Sequence, residues 1–282
     1  MGDGNSMMIA GRLTVLLPDR DGLSAALHDI IEGGRAWRSW WVLAANDVRQ
    51  RYRRSAIGQF WVTLSMGLTI LGMGIVYSAI FRQPAENYIP FLATGMIVWS
   101  FFQATINDLA VAFSQSEVYL RSYPGPRTVP LFRCLVRNLI HMAHNLVLLP
   151  IVWVLYGAPL DSTILLAVPG ALLSIATIGA GSLVLAPLCT RFRDLSQIVQ
   201  NAMQLLFFVT PVIFRPQQLG DQLSFLLHFN PLANMLEIVR APLLGEVPQM
   251  HHYLMVLMYL AAGLAVALPF YARFRGRIVY WL

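Results

Sequence analysis

Along the 282 residues, apolar side chains gather in six long runs at 58–81, 89–113, 132–156, 162–188, 198–214 and 252–271. A hydrocarbon core about 30 Å thick needs about 20 helical residues. Each run therefore predicts a membrane-crossing helix, the fifth being short and ending near Pro211 and Phe214. A backbone inside lipid must satisfy its own hydrogen bonds, which a helix does within one segment. The first, fourth, fifth and sixth runs hold no charge. Asp108 falls late in the second, and Arg133 and Arg137 early in the third. Those positions lie near the water interface, where long side chains reach out of the hydrocarbon.

Upstream of the first run the pattern is helical but one-sided. Trp37, Trp40, Trp41, Ala44, Val48 and Tyr52 fall in one arc of about 120°, with Arg35, Arg38, Arg49 and Arg53 opposite. This predicts an amphipathic helix in the membrane interface, tryptophans at headgroup depth, or one packed on a partner. Residues 1–30 read as a cytoplasmic leader and 31–282 as one transmembrane domain. "PDRDG" follows "MMIAGRLTVLL", where a cleavable signal would place small residues.

Two segments between the runs stand out. In the loop 114–130, Pro124, Gly125 and Pro126 break any long helix and leave a short one over about Gln115–Ser122. In 215–251, "LSFLLHF" and "ANMLEIVRAPLL" are apolar but too short to span. They predict re-entrant or interfacial helices closing an outer vestibule.

Charge then orients the chain. All 20 basic residues are arginine. With the N-terminus inside, 17 of the 20 fall on the inner side; only Arg82, Arg215 and Arg240 lie outside. The positive-inside rule thus puts both termini in the cytoplasm and favours an even number of spans. The composition agrees: 57% hydrophobic and 12% charged, against about 25% charged in a soluble domain. The fold class is an all-α integral membrane protein with six transmembrane helices.

The chain lacks the residues of several chemistries. Without lysine it cannot carry the phosphate-binding GxxxxGK[ST] motif. HExxH, GxSxG and paired acidic motifs are missing, as is any CxxC around Cys134 or Cys189. His141 and His144 share a helix face, where interhelical hydrogen bonds are the favoured role and no metal site is expected. Asp108 is the only carboxylate near the membrane, at the wrong depth for ion coupling. Energy for transport must then come from another subunit.

Four stretches carry a resemblance. "DVRQRYRRSAIGQFW" resembles the approach to the first span in permease subunits of ABC-2-type exporters, of the branch exporting O-antigen, capsule and teichoic-acid polysaccharides. Ile57 stands there in place of the usual leucine. "RFRDLSQIVQNAMQLLFFVTPVIF" is similar to the family's fifth-span segment, with Thr210 for the usual serine. "FNPLANMLEIVRAPLLG" resembles its outer loop and "RFRGRIVYWL" its basic ending.

The resemblance implies a homodimer in the bacterial inner membrane, bound to two ABC ATPase subunits. Those subunits, not this chain, would bind ATP and magnesium. A cytoplasmic coupling helix would dock in the ATPase, here Ser116, Glu117, Val118, Tyr119, Leu120, Arg121 and Tyr123. The interfacial helix with Trp37, Trp40, Trp41 and Tyr52 would join that interface. The path would run between protomers along spans one and five. In span five Gln197, Gln200, Asn201, Gln204 and Phe208 share a face suited to sugar hydroxyls and rings, or to polar contacts between helices; Tyr77 of span one joins them. Arg191, Arg193 and Asp194 would sit at the inner mouth, as a salt-bridge lock or against a lipid phosphate. Asn230, Pro231, Glu237 and Arg240 would belong to the outer re-entrant segment, the last two pairing at i and i+3. The expected cargo is a lipid-linked polysaccharide, and no nucleic acid is expected as a partner. Alternatives are export of drugs or small lipids, a membrane glycosyl- or acyltransferase, and a membrane scaffold.

Overall fold

The computed structural model describes residues 22–51, 53, 58, 60–157, 161–216 and 227–282. Among them every regular element is helical. Two helices, α1 (Gly22–Arg35) and α2 (Trp37–Arg51), precede the first long one, α3 (Phe60–Ile80). The chain continues through α4 (Ala85–Ala110), α5 (Glu117–Ser122), α6 (Val129–Leu146) and α7 (Leu148–Tyr156). It ends with α8 (Ala167–Arg191), α9 (Asp194–Val209), α10 (Pro231–Leu243) and α11 (Met250–Phe274), followed by short turns to Trp281.

Five described stretches are long and apolar enough to cross a bilayer: Phe60–Ile80, Ala85–Ala110, Val129–Tyr156, Ser162–Arg191 and Met250–Trp281. The expected fifth span corresponds to α9, which has 16 residues. At about 1.5 Å per residue it reaches about 24 Å, less than the hydrocarbon core. The other limits shift for local reasons. Pro84 opens α4 four residues earlier than the apolar run suggests. The third span is interrupted at Val147 because Pro150 has no N–H to donate back to Leu146. Tyr52, most of the expected leader and the "LSFL" part of the outer segment lie outside the described residues.

The centre of the bundle is α4. Its apolar window is 78% buried, against 11% for α3 and 17% for the third span. It packs on α3, α6, α7, α8, α9 and α10. Lipid is as apolar as leucine, so close packing rather than water exclusion holds such helices together, and small residues sit where backbones meet. A Cβ on Gly74 would stand 2.9 Å from the Ile89 side chain. One on Gly170 of α8 would stand 2.3 Å from the Ile238 carbonyl of α10.

The expected leader boundary near residue 30 falls inside α1. That helix buries Ala26, Asp29 and Gly33 against α11 and α6, while Leu23, Leu27 and Ile31 remain exposed. The apolar arc of α2 is used mainly for protein contact. Ala44 and Val48 at its centre are fully buried on α6. Trp40 stacks on Phe132 at 6.3 Å, and Trp37 and Trp41 at the flanks are half-exposed.

Candidate functional site

At the end of the bundle where α4 and α6 are joined, α5 presents one face outward. Ser116 precedes it, and Leu120 is its buried anchor. Val118 is 79% exposed and Tyr123 58%. Glu117 and Arg121 pair across one turn at 2.8 Å. Tyr119 and Tyr123 lie 5.4 Å apart. Burial, reinforced by Tyr123 and Asp29, raises the Tyr119 phenol above its usual pKa. The chain then turns back so tightly that a Cβ on Gly125 would meet the Tyr123 ring at 2.4 Å.

Beside this loop lies a charge network absent from the sequence reading. Asp47 of α2 takes both hydrogen bonds of the Arg133 guanidinium, at 2.7 and 2.5 Å. Arg137 bridges onward, to Asp47 at 3.1 Å and Asp108 at 2.8 Å. Asn138 donates to Asp108 at 2.7 Å. Helices α2, α4 and α6 are thereby joined by two carboxylates and two guanidiniums, each side chain a third exposed or less. The signal in the sequence was the aspartate heading "DVRQRY" and two arginines one turn apart in the third span.

At the inner mouth Arg191 lies over the rings of Phe192 and Trp281, at 5.2 and 5.3 Å. Arg193 and Asp194 are exposed. Among the described residues no ion pair joins these three. A cavity of about 320 Å³ opens here, lined by Glu117, Thr190, Arg193, Ser196 and Trp281 among others.

The amide face of α9 points away from the protomer's own core. Met203 is the buried side, against α4. Gln197, Asn201, Gln204 and Phe208 are exposed, and Gln200 is half-buried. Gln197 donates to Asn201 at 3.3 Å within the same helix. Tyr77 is half-buried and stacks on Phe81 at 5.9 Å.

At the opposite end of the bundle, α9 ends in the turn Thr210–Ile213, whose polar groups are caught by other elements. Asn230 accepts from the Leu232 and Ala233 N–H groups, capping α10, while Pro231 fills its first turn. The same Asn230 donates to the Thr210 hydroxyl at 3.1 Å. Arg240, 2% exposed, donates to the Pro211 carbonyl at 2.5 Å, pairs with Glu237, and lies 4.3 Å over the Phe91 ring. Tyr88 donates to the Ile213 carbonyl at 2.7 Å. Gly95 lets Val212 approach: a Cβ there would sit 3.0 Å from the Val212 oxygen. Asn230, Pro231, Glu237 and Arg240 thus form one assembly around the turn.

A helical bundle with five helices long and apolar enough to cross a bilayer among the described residues defines a multi-pass membrane protein. The ABC-2 type transporter family model matches residues 38–244, and the chain belongs to that family. Members work with ABC ATPase partners; the transferase alternative has no place in it. The chain is similar to the O-antigen export system permease protein RfbA of Myxococcus xanthus, 27% identical and covering 71% of this chain and 77% of that protein. It is also similar to RfbA of Klebsiella pneumoniae, 25% identical over 69% and 76%. The polysialic acid transport protein KpsM of Escherichia coli is 23% identical over 70% and 78%.

Proposed function

We propose that this chain is the membrane subunit of an ATP-driven exporter that moves a lipid-linked, O-antigen-like polysaccharide outward across the bacterial inner membrane. The observation that carries this reading is the α9 face. Uncovered amides are costly against hydrocarbon, where nothing completes their hydrogen bonds. A face holding Gln197, Asn201 and Gln204 beside Phe208 therefore suits a wet path between two copies of the chain. Amides match sugar hydroxyls in donors and acceptors, and aromatic faces cover sugar rings. The names of the relatives support the same cargo class.

In this reading the protomer crosses the membrane six times, α9 and the turn after it forming the fifth crossing. Both termini are cytoplasmic, as 17 of the 20 arginines favour. Two ABC ATPases bind ATP and magnesium and grip α5 through Val118 and Tyr123. Arg191 and Arg193 meet the phosphates of the lipid carrier.

Purification with the ATPase and reconstitution in liposomes tests it. Val118→Asp abolishes retention of the ATPase. Changing Glu117 or Tyr119 uncouples hydrolysis from export. Gln200→Leu with Gln204→Leu keeps the ATPase but slows export on the order of thirtyfold, since two hydrogen bonds of about 1 kcal/mol each are lost. Flux driven by the permease without an ATPase, or periplasmic labelling of either terminus, refutes the proposal.

A further inference from the structure

One carboxylate outside the surfaces already described holds three distant parts of the chain together. Asp29 of α1 is 7% exposed. Its Oδ1 accepts the backbone N–H of Arg127 at 2.9 Å, and its Oδ2 accepts the hydroxyl of Tyr271 at 2.8 Å. Its own carbonyl accepts the Thr128 hydroxyl at 2.8 Å. Arg127 and Thr128 end the loop that starts at α5; Tyr271 lies, fully buried, near the inner end of α11. The contacts close into a ring. Arg127 donates to the Arg275 carbonyl, and Arg275 donates to the Ala25 carbonyl at 3.1 Å. Gly33 is pressed onto the loop: a Cβ there would lie 2.0 Å from the Thr128 hydroxyl.

Mechanically the loop is a stiff lever. Between α5 and Arg127 stand Tyr123, Pro124, Gly125 and Pro126. The two prolines fix their own φ and restrict the residues before them. A push on α5 is therefore delivered to Arg127 and Thr128 rather than absorbed by bending. Thr128 leads directly into α6, so that span moves by covalent connection. The last span has no covalent connection to the loop; in the ring around Asp29, the hydrogen bonds link it.

We infer that Asp29 is a positioning residue for transport, transmitting displacement of the coupling loop to the inner end of the last span. Without it, only the Arg127 bond to the Arg275 carbonyl and the packing of residues 278–281 on α5 still join the loop to the end of the last span, and the grip on the body of α11 is lost. The inference rests on the reading of α5 as the ATPase-docking helix. A buried carboxylate accepting two hydrogen bonds is a stiff and directional joint, because losing either bond leaves a polar group unsatisfied.

The test uses the full permease–ATPase complex in lipid nanodiscs with two fluorescent reporters. One is attached at Ser114→Cys, beside α5, and one at Tyr280→Cys, which is 70% exposed beyond α11. Both native cysteines are buried. In the unaltered complex ATP changes the emission of both reporters. Tyr271→Phe, which removes a single hydroxyl, is expected to preserve the Ser114 response and reduce the Tyr280 response at least threefold. Polymer exported per ATP falls with it. Asp29→Asn does the same, and Asp29→Glu recovers part of the coupling. An undiminished Tyr280 response and export ratio in Tyr271→Phe overturns the inference while leaving the α5 reading intact. No ATP response at either site in the unaltered complex overturns that reading, and the inference with it.

Discussion

Removing the Asp47 carboxylate is the sharpest probe of how the inner end of the bundle is held. In Asp47→Ala, Arg133 loses both hydrogen bonds, at 2.7 and 2.5 Å, while Arg137 loses one but keeps Asp108 at 2.8 Å. Breaking a buried ion pair by deleting one partner costs about 3–5 kcal/mol, because the other charge is left uncompensated. The three side chains are 16–24% exposed, so Arg133 regains some water and the lower end applies, about 3 kcal/mol. At about 2–4 °C per kcal/mol, the melting midpoint should fall by about 6–12 °C. Heating in detergent followed by fluorescence-detected size exclusion measures this. Two comparisons isolate the cause. Glu32→Ala breaks a pair whose members are 74% and 39% exposed, and such pairs contribute about 1 kcal/mol or less. Asp47→Leu with Arg133→Leu removes both charges and should melt above Asp47→Ala, since apolar replacement of a buried pair is often neutral. A midpoint within about 2 °C of the parent for Asp47→Ala, or a double variant that melts at the sum of the two single losses, refutes the reasoning.

The outer turn and the helix contacts give two further expectations. Arg240→Lys keeps the charge but cannot serve the Pro211 carbonyl, Glu237 and the Phe91 face together; it should melt lower by about 2 kcal/mol's worth and admit a small polar dye into liposomes at rest. Gly170→Ala forces α8 from the Ile238 carbonyl and should cost about 1–3 kcal/mol. Gly181→Ala on the same helix meets open space and should be neutral or stabilising by up to about 1 kcal/mol; equal melting points for the two would contradict the packing described.

The spans were legible because lipid imposes a length and a composition that a single sequence displays. The short α5 was legible from its breaker, Pro124–Pro126, and the fifth span's shortness from Pro211. What the sequence hid were contacts whose partners lie far along the chain. Asp29 looks like any acidic residue of a polar leader, and its partners stand 98 and 242 residues away. The arc on α2 fits lipid and protein equally well by periodicity; only the burial of its smallest members, Ala44 and Val48, shows which face meets α6. Arg240 was legible as half of an i, i+3 pair. Its hold on the Pro211 carbonyl required the turn after α9 to be brought against α10.

The distribution of these polar joints says which parts of the protomer are free to move. At one end, carboxylates tie α1, the loop after α5, α2, α4, α6 and α11. At the other end, a guanidinium, an amide and a phenol tie the turn after α9 to α4 and α10. Between the two ends, small-residue contacts and apolar packing provide most of the contact, apart from local bonds such as Ser174 to the Gly170 carbonyl. Packing of that kind is close but has no preferred direction. Helices α3 and α9 both lean on α4, and among the described residues no ion pair holds either of them. A bundle clamped at its ends and smooth in its middle yields where its least buried helices are. Helix α3, with half-buried Tyr77, is among these together with α11, each with a window 11% buried, and α9 exposes its amides as well.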